Sequence, residues 1–549
     1  MNRRELLKLS LLTCGAALTS SAQGSGSPSP LLADDNASAS PVLETSLGKL
    51  RGAFANGVYS FKGVHYGAST EGARRFQPPL PAKPWTGVRD ALELGPPAPQ
   101  YNGLLDMGFA DEYAPLFQFV GPGTMSEDCL VLNVWTPTLR SGGKRPVMVW
   151  LHGGSFAVGS DGVPMFDGTN LSAKHDVVVV GVNHRLNAFG HLYLGKKGGE
   201  RYADSGNVGM LDIVLALQWV RDNIAQFGGD PGNVTIFGES GGGWKVSVMM
   251  AMPAAKGLFH KAIVESGPKL RVNSTQEAEA FSKKFLDLLH VTPDRLDDLL
   301  KIPMEQYIAA LHAGASFLWD WGPVLDGRSL PRNPFDPDAA AITADVPLLI
   351  GTTASETTVL VGAADPRSFS LNEADMRERL KKFLELSDDS KLDALIGTYK
   401  RNRPNATPSD IYFAVTTDSM MRLDSITEAE RKVAQHAASV FMYIFAWPSP
   451  VLGGRLKAAH VVDVAFVFDN VDKAPEWVGT GPDLQPLADR VSSSWVAFAR
   501  SGNPNHAGLP HWPAYDVDTR ATMTFNNDCK VVNDPGKEER LAMAALHQT

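Results

Sequence analysis

Residues 236–245 have the sequence IFGESGGGWK, in which one serine, Ser240, stands among four glycines. Glycine has no Cβ and is used where the backbone must strain or approach another segment closely. The pattern G-x-S-x-G follows an apolar run and precedes a helical one, which predicts a sharp strand-to-helix turn that pushes the serine hydroxyl outward. A serine that is only part of a tight turn explains the same pattern, so this motif alone leaves the role of Ser240 open.

Short apolar runs rich in β-branched residues lie on both sides of this turn. They are VTIF (234–237), PVMVWL (146–151), VVVVGVN (177–183), VPLLI (346–350) and SVFMYIFAW (439–447). Such runs suit strands buried on both faces of a mostly parallel sheet. Helical patterns such as residues 208–228 lie between them and end at glycine. The alternation predicts an α/β fold with a doubly wound central sheet, and the mostly helical segments 270–345 and 362–435 are predicted to be insertions that wall the active site.

Composition and charge restrict the class of protein. The chain has 549 residues, of which 44% are hydrophobic and 20% charged, as in an ordinary globular protein with a large core. A formal net charge of −9 argues against a nucleic-acid-binding surface. No apolar run after the N-terminal region is long enough to span a bilayer, and the three cysteines lack zinc-site spacing. We therefore expect no nucleic-acid partner, no membrane span and no metal.

The N-terminus has the features of an export signal. Arg3 and Arg4 are paired, an apolar stretch begins at Leu6, and small residues end at Ala22. This pattern resembles a twin-arginine signal, so residues 1–22 are predicted to be a signal peptide handled by the twin-arginine export machinery of a bacterium. The expected location is periplasmic or secreted. A basic amphipathic helix is the alternative interpretation of the same residues.

Further features of this region concern anchoring and domain limits. Cys14 follows Thr13, a poor residue before a lipoprotein cysteine, so lipid anchoring is not expected. Residues 23–42 are small and polar, which predicts a disordered linker. Strand and helix patterns then alternate without an internal repeat, which predicts a single domain over residues 43–545.

A second glycine-containing motif, VWLHGGSF (149–156), precedes the Ser240 motif. A strand pattern there leads directly into a glycine pair. Acyl transfer needs backbone N–H donors aimed at the developing oxyanion, and glycines let such a loop come close. A glycine-rich turn after a strand is the alternative for this motif by itself. Ahead of G-x-S-x-G, the motif favours an acyl-transfer site.

These motifs together resemble the type B carboxylesterase family, the cholinesterase-like branch of the α/β-hydrolases. The resemblance covers about residues 43–530 and implies the α/β-hydrolase fold. The matching segments are RGAFANGVYSFKGVHYG (51–67), SEDCLVLNVWTP (126–137), WLHGGSF (150–156), QWVRDNIAQFGGDPGNVTIFGESGGG (218–243), GPVLDG (322–327), WVAFARSGNPN (495–505) and WPAYD (512–516).

The resemblance implies Ser240 as the nucleophile and an acid later in the chain. IGTTASETT (350–358) follows a predicted strand and resembles the family's acid loop, which gives Glu356. Asp326 and Asp345 are rival acids without that context. A solvated loop carboxylate is the alternative interpretation of Glu356.

The base implied by the resemblance is His460, in LKAAHVVDVAFVF (456–468). The family often has glycine after this histidine, and this chain has Val461. A histidine alone means little, because the chain has 13 of them. His436, in a helical run, is interpreted as a packing residue.

The resemblance also implies an oxyanion hole formed by the N–H groups of Gly154, Ser155 and Gly241, with Gly153 preceding them in the loop. The family usually has a third glycine where this chain has Ser155. A backbone donor survives that change, but a side chain must then fit where glycine normally lies. The resemblance further implies that Glu239, Ser266 and Asp463 are supporting polar residues near the triad. Structural polar residues are the alternative interpretation of all three.

Two departures from the family concern a disulfide and the ligand. The resemblance implies a disulfide from Cys129 to a cysteine about thirty residues earlier, where Ala98 stands, so Cys129 is expected to lack that partner. Whether Cys129 pairs with Cys529 stays open. Cholinesterases have a choline-binding tryptophan ahead of SEDC, but residues 117–125 contain Phe117 and Phe119 and no tryptophan, which argues against a choline ester.

The expected function is that of a secreted serine carboxylesterase acting on a small-molecule ester through a Ser-His-Glu triad and an acyl-enzyme, without a cofactor. One alternative is a non-catalytic cholinesterase-like adhesion protein, although such proteins lack one or more triad residues. Another is an amide or carbonate hydrolase that uses the same triad. The sequence identifies neither the ester nor the oligomeric state.

Overall fold

The computed structural model describes residues 40–101, 111–140, 142, 144–195, 198–314 and 320–547. The predicted signal peptide, 1–22, lies outside these residues and stays a prediction. The predicted linker, 23–42, lies almost entirely outside them as well. Its last residue, Val42, already belongs to a strand, so the linker prediction extends too far at that end.

Within the described residues, fourteen strands form two sheets. They are β1 (Val42–Glu44), β2 (Lys49–Arg51), β3 (Ala53–Ala55), β4 (Val58–His65), β5 (Val88–Asp90), β6 (Val131–Thr136), β7 (Arg145–Leu151), β8 (Val178–Val182), β9 (Gly229–Glu239), β10 (Lys261–Glu265), β11 (Leu348–Thr353), β12 (Val440–Phe445), β13 (Ala521–Phe525) and β14 (Lys530–Asn533). An eleven-stranded sheet has the order β14-β13-β12-β11-β10-β9-β7-β8-β6-β4-β3, and β1, β2 and β5 form the other sheet.

The middle of the large sheet is parallel, from β8 through β7 and β9 to β13. Both edges are antiparallel, with the pair β13–β14 at one side and β8-β6-β4-β3 at the other. The predicted mostly parallel α/β sheet is therefore confirmed. Because the carboxyl ends of parallel strands share one edge of a sheet, the loops after β7, β9, β11 and β12 meet there.

Fifteen α-helices accompany the strands in the described part of the chain. They are α1 (Thr169–His175), α2 (Asn187–His191), α3 (Val208–Asn223), α4 (Gly241–Met249), α5 (Thr275–Leu288), α6 (Met304–Ala313), α7 (Thr357–Leu360), α8 (Glu373–Phe383), α9 (Asp389–Asn402), α10 (Pro408–Thr417), α11 (Leu423–Val433), α12 (Val464–Val467), α13 (Pro475–Val478), α14 (Leu484–Ser501) and α15 (Lys537–His547). The segments predicted to be helical insertions contain α5 and α6, and α8 to α11. A π-helical turn, Asp418–Arg422, joins α10 to α11.

Alternate residues of β7 enter two different cores. Val147, Val149 and Leu151 pack in the core that contains α3, whereas Met148 and Trp150 pack in the core that contains α14. All five side chains are fully buried. Helices therefore cover both faces of the sheet, which explains why the strand sequence PVMVWL shows no alternation of polar and apolar residues.

The two cysteines in the described part of the chain are not linked. Cys129 and Cys529 are both free, Cys129 fully buried and Cys529 half-buried, so the question of their pairing is answered. Burial raises the pKa of the Cys129 thiol far above its usual range. In the part of the chain that the structure describes, no helix is both long enough and apolar enough to cross a bilayer.

Candidate active site

Ser240 lies at the tip of a strained turn between β9 and α4. Its φ of 57° and ψ of −120° lie outside the regions that side-chain-bearing residues favour. The Ser240 N–H donates to the Glu265 carbonyl at 2.8 Å, which fixes the turn against β10. Cβ atoms added at Gly238 or Gly242 would lie under 3.0 Å from the Leu151 carbonyl oxygen. The glycines of the motif therefore allow the turn to pack directly on β7.

Glu356 and His460 meet at the carboxyl edge of the sheet. Glu356 follows β11, His460 lies in the loop after β12, and His460 Nδ1 lies 2.6 Å from Glu356 Oε2. The other carboxylate oxygen, Oε1, accepts from the Ser266 hydroxyl at 2.7 Å and from the Thr353 N–H at 2.8 Å. Glu356 is fully buried, so these bonds hold its carboxylate in one orientation toward the imidazole.

Ser240 and His460 line one cavity of about 640 Å³. This volume lies in the range of pockets that take small organic molecules. The α4 residue Trp244, the segment after β10, and residues of the π-helical turn and of α11 form other parts of its wall. The cavity therefore joins the predicted nucleophile and base to a space large enough for a substrate.

The predicted oxyanion loop lies against the Ser240 turn. Gly154 has a φ of 84°, and a Cβ on Gly241 would lie under 3.0 Å from the Ser155 backbone. In the described part of the chain, the N–H groups of Gly154 and Ser155 donate no hydrogen bond. Gly241 opens α4, so its N–H has no intrahelical acceptor. Gly153 lies close to Glu239, since an added Cβ would be 3.1 Å from the Glu239 Oε2 atom.

Both departures from the family's glycines fall on strained backbone. Ser155, at the third glycine of the loop, has a φ of 59°, and Val461, after His460, has a φ of 80°. A β-branched residue such as valine is a genuine outlier at positive φ. In addition, the buried Ser155 hydroxyl has no hydrogen-bond partner among the described residues. The loops on either side of the cavity therefore store strain.

Replacing Ser155 with glycine is expected to stabilise the protein by about 1 kcal/mol, because relief of the positive φ and of the unpaired hydroxyl exceeds the entropy cost of glycine. Thermal unfolding of S155G beside the wild type measures this. S155A is the matched control, since alanine removes the hydroxyl but keeps the strained backbone. A melting temperature of S155G at or below that of S155A contradicts the strain argument.

Three more buried carboxylates form one charged cluster, of which Glu239 and Asp463 act directly on His460. Glu239 Oε1 lies 3.2 Å from His460 Nε2, Asp463 accepts from the Tyr443 hydroxyl at 3.1 Å, and Glu265 accepts from an indole N–H at 2.8 Å. Burial raises the pKa of Glu239 to about 8, and burial likewise raises the pKa values of Asp463 and Glu265. Burial lowers the pKa of His460, but Glu239 and then Glu356 outweigh it and raise that pKa to about 9. The cluster therefore favours the imidazolium form of His460.

Replacing Glu239 with glutamine is expected to move the acid limb of the kcat/KM–pH profile about 1 unit toward lower pH. A general base acts in its neutral form, so kcat/KM rises as His460 loses its proton. Removal of the carboxylate beside Nε2 lowers the pKa of His460 and brings that rise to lower pH. A pH series with p-nitrophenyl butyrate measures the shift, with E305Q, on exposed α6 surface, as the control. An unchanged or more alkaline acid limb in E239Q contradicts this assignment.

The structure adds Lys245 to the residues of the candidate site, although the sequence analysis assigns it no role. Its side chain is fully buried, and its Nζ donates to the His152 carbonyl at 2.8 Å. Burial lowers the pKa of this amine well below its usual range. Because His152 directly precedes Gly153 and Gly154, Lys245 holds the base of the oxyanion loop. The available signal was a lysine inside the otherwise apolar helix pattern of α4, since lysine is almost never fully buried.

The rival residues lie elsewhere. Asp326 accepts from Asn207 at 2.9 Å and from the Ser329 hydroxyl at 2.6 Å within a turn, and Asp345 is exposed. His436 is exposed beyond the end of α11, so its interpretation as a packing residue is wrong. Among the described residues, no group of three or more His, Cys, Asp or Glu side chains is arranged to hold a metal ion.

Comparison with known proteins supplies an independent result. A model of the carboxylesterase family matches residues 39–544. The chain is 35% identical over 512 residues to para-nitrobenzyl esterase of Bacillus subtilis (strain 168), covering 91% of this chain and 97% of that protein. It is 31% identical over 521 residues to phenmedipham hydrolase of Pseudarthrobacter oxydans, covering 92% and 99%. The crystal structure of Geobacillus stearothermophilus carboxylesterase EST55 at pH 6.2 superposes with a TM-score of 0.79 at 37% identity, covering 91% and 99%.

Proposed function

Because this chain belongs to the carboxylesterase family and is a carboxylic ester hydrolase, we propose that it acts through a Ser240–His460–Glu356 triad and an acyl-enzyme. One observation carries the proposal. His460 and Glu356 share a hydrogen bond of 2.6 Å beside the cavity that Ser240 also lines. An imidazole held by a carboxylate in the same cavity as a strained serine suits nucleophilic catalysis.

In the acylation step, Ser240 Oγ attacks the ester carbonyl carbon while His460 Nε2 takes the hydroxyl proton. The carbonyl oxygen becomes an oxyanion, which accepts from the N–H groups of Gly154, Ser155 and Gly241. The bond from the carbonyl carbon to the alcohol oxygen then breaks. His460 gives its proton to that oxygen, so the alcohol leaves neutral and the acyl group stays on Ser240.

In the deacylation step, a water molecule attacks the acyl carbonyl while His460 takes one of its protons. The bond to Ser240 Oγ breaks, Oγ regains the proton from His460, and the carboxylic acid leaves. Glu356 accepts from His460 Nδ1, holds the imidazole in one orientation through both steps and stabilises its protonated form. When they are ionised, Glu239 and Asp463 add negative charge around the same ring, which favours the imidazolium form of His460 in both transition states.

A fluorophosphonate probe tests the nucleophile directly. The Ser240 oxygen is expected to displace fluoride from phosphorus, with the serine proton passing to His460. The peptide that contains residue 240 therefore gains the mass of the probe less that of hydrogen fluoride. Peptide mapping of the purified protein identifies the labelled serine. Labelling at a different serine, or turnover of p-nitrophenyl butyrate without any labelling, contradicts the triad.

Two other functions on this scaffold make different predictions in the same assays. A non-catalytic adhesion protein neither hydrolyses p-nitrophenyl esters nor reacts with the probe. An amide or carbonate hydrolase reacts with the probe but turns over a p-nitroanilide or an aryl carbonate faster than the matching ester. The matches to carboxylesterases along nearly the whole chain favour the ester reaction.

Export through the twin-arginine route is part of the proposal. Its support is the sequence around Arg3 and Arg4, and the family match begins at residue 39, beyond the predicted signal. Protein recovered from the periplasm of a bacterial host is expected to begin at Gln23, and replacement of both arginines with lysine is expected to retain it inside the cell. A full-length N-terminus on the exported protein contradicts this assignment.

A further inference from the structure

Basic side chains line the cavity that contains Ser240 and His460. Lys269, Arg271 and Arg431 are part of its wall, together with two carboxylates, Asp336 and Asp424. Three cations therefore face two anions, which leaves one excess positive charge. A cavity that served only neutral esters has no need of five charged groups, because apolar walls bind such substrates better.

Arg271 and Arg431 share one carboxylate. Arg271 Nε donates to Asp336 Oδ2 at 2.7 Å, and Arg431 Nη1 donates to Asp336 Oδ1 at 3.0 Å. Arg431 also donates to the Phe335 carbonyl, so it is anchored to the protein on two sides. Asp336 neutralises one guanidinium charge and holds both side chains in place.

The outer edge of the Arg271 guanidinium is exposed, although Asp424 in the same cavity wall also acts on its charge. Its side chain is 73% exposed, and among the described residues its Nη1 and Nη2 atoms have no hydrogen-bond partner. The Nε bond to Asp336 fixes the plane of the group. A guanidinium held at Nε offers its two terminal N–H groups as a fork that matches the two oxygens of a carboxylate.

A second cation reinforces this charge. Lys269 Nζ lies 4.8 Å from the centre of the Trp244 ring, and Trp244 in turn stacks on Phe156 with ring centres 5.9 Å apart. The Lys269 N–H donates to Glu428 at 3.0 Å, which fixes the backbone two residues before Arg271. The segment after β10 therefore places two positive side chains, Lys269 and Arg271, in the wall of one cavity.

We propose that the enzyme prefers esters that also carry a free carboxylate, and that Arg271 binds this carboxylate while Ser240 attacks the ester. The proposal rests on the proposed function, since it requires Ser240 to act in this cavity. The substrate class is thus the half-ester of a dicarboxylic acid, or an ester whose acyl part has an acidic group. Arg271 acts as a specificity-determining residue and Lys269 adds to the attraction.

The test compares pairs of substrates that differ only in charge. The p-nitrophenyl monoesters of adipic, suberic and sebacic acid are measured beside the same esters with the free carboxyl replaced by a carboxamide. The wild type is expected to show a kcat/KM about tenfold higher for the carboxylate than for the carboxamide, at one or more chain lengths. That ratio is expected to fall to about one in R271Q and to decrease as NaCl is added.

R295Q provides the matched control. Arg295 is similarly exposed, at 68%, and pairs with a single aspartate, Asp298, but it is not among the residues that line the cavity. Its substitution is expected to leave the carboxylate preference at the wild-type value. A ratio at or below one for all three chain lengths in the wild type overturns the proposal, as does a ratio that R271Q and R295Q change equally.

Failure of this proposal is distinguishable from failure of the triad. If p-nitrophenyl butyrate is hydrolysed and Ser240 reacts with the fluorophosphonate probe, but no carboxylate preference exists, only the role of Arg271 is overturned. If no ester is hydrolysed and the probe does not react, the proposed function itself fails and this inference fails with it.

Discussion

Replacing Ser240 with alanine is expected to lower kcat for p-nitrophenyl butyrate by about 10⁴-fold or more. The oxygen that forms the acyl-enzyme is then absent, and His460 has no hydroxyl to deprotonate. The oxyanion donors and the cavity remain, so a small residual rate above the uncatalysed reaction is expected. Steady-state kinetics with protein at high concentration measures the loss, and circular dichroism establishes that the variant is folded.

The control for this experiment is S282A. Ser282 is also buried, and its hydroxyl has no partner in the described part of the chain, but it lies on α5 and outside the candidate active site. The activity of S282A is expected to stay within about twofold of that of the wild type, as for most substitutions far from the reacting groups. A folded S240A protein that keeps a tenth of the wild-type rate would exclude Ser240 as the nucleophile.

Replacing Gly242 with alanine is expected to destabilise the protein by roughly 3 kcal/mol or more. The new methyl group would lie under 3.0 Å from the Leu151 carbonyl oxygen, an atom fixed inside the central sheet. The Leu151 carbonyl has no room to move away, because β7 is paired with β8 on one side and with β9 on the other. The strand-to-helix turn must therefore distort, so kcat is expected to fall as well, since Ser240 lies two residues before the clash.

G397A is the matched substitution for this comparison. Gly397 lies inside α9, where an added Cβ would have Arg401 Nη1 as its nearest neighbour at 3.5 Å. Alanine is the better helix former, so a gain of up to about 1 kcal/mol is expected. Thermal unfolding of the two variants beside the wild type gives the result. Equal melting temperatures for G242A and the wild type would show that the turn tolerates a side chain.

The central sheet was predictable because its strands carry their own signal. Strands covered on both faces are apolar at every position, and short runs rich in β-branched residues, such as PVMVWL, favour such strands over buried helix segments. The small sheet of β1, β2 and β5 was not predicted. Its strands have three residues each, with one buried residue in β1, one in β2 and none in β5, so their sequences resemble those of loops. The register and order of the strands depend on contacts between distant segments, so they could not be predicted from the sequence either.

Some residues of the candidate site were predictable from a local motif, and others only from the family resemblance. Ser240 stands in a local motif, whereas His460 is one of 13 histidines and was selected only through the family resemblance. The hydrogen bond between His460 and Glu356 joins residues 104 positions apart, which no local pattern contains. The triad, oxyanion and supporting roles remain predictions that the proposed experiments test.

Other features of the site required coordinates. The burial of Lys245 under the oxyanion loop follows from the way α4 packs on β7, and the fork of Arg271 depends on Asp336, which lies 65 residues away. The sequence contains a signal for the strain at Ser155 and Val461, since both residues replace a glycine of the family pattern. That these residues keep a positive φ shows that the surrounding packing, rather than the local residue preference, determines the loop conformation.

The free state of Cys129 and Cys529 has a consequence for where the chain can fold. The third cysteine of the chain, Cys14, lies in the predicted signal peptide. Without a disulfide between the two described cysteines, no oxidant or disulfide isomerase is needed to complete the fold. The fold of the described residues therefore does not depend on an oxidising compartment. This is compatible with the proposed twin-arginine route, which exports proteins that are already folded.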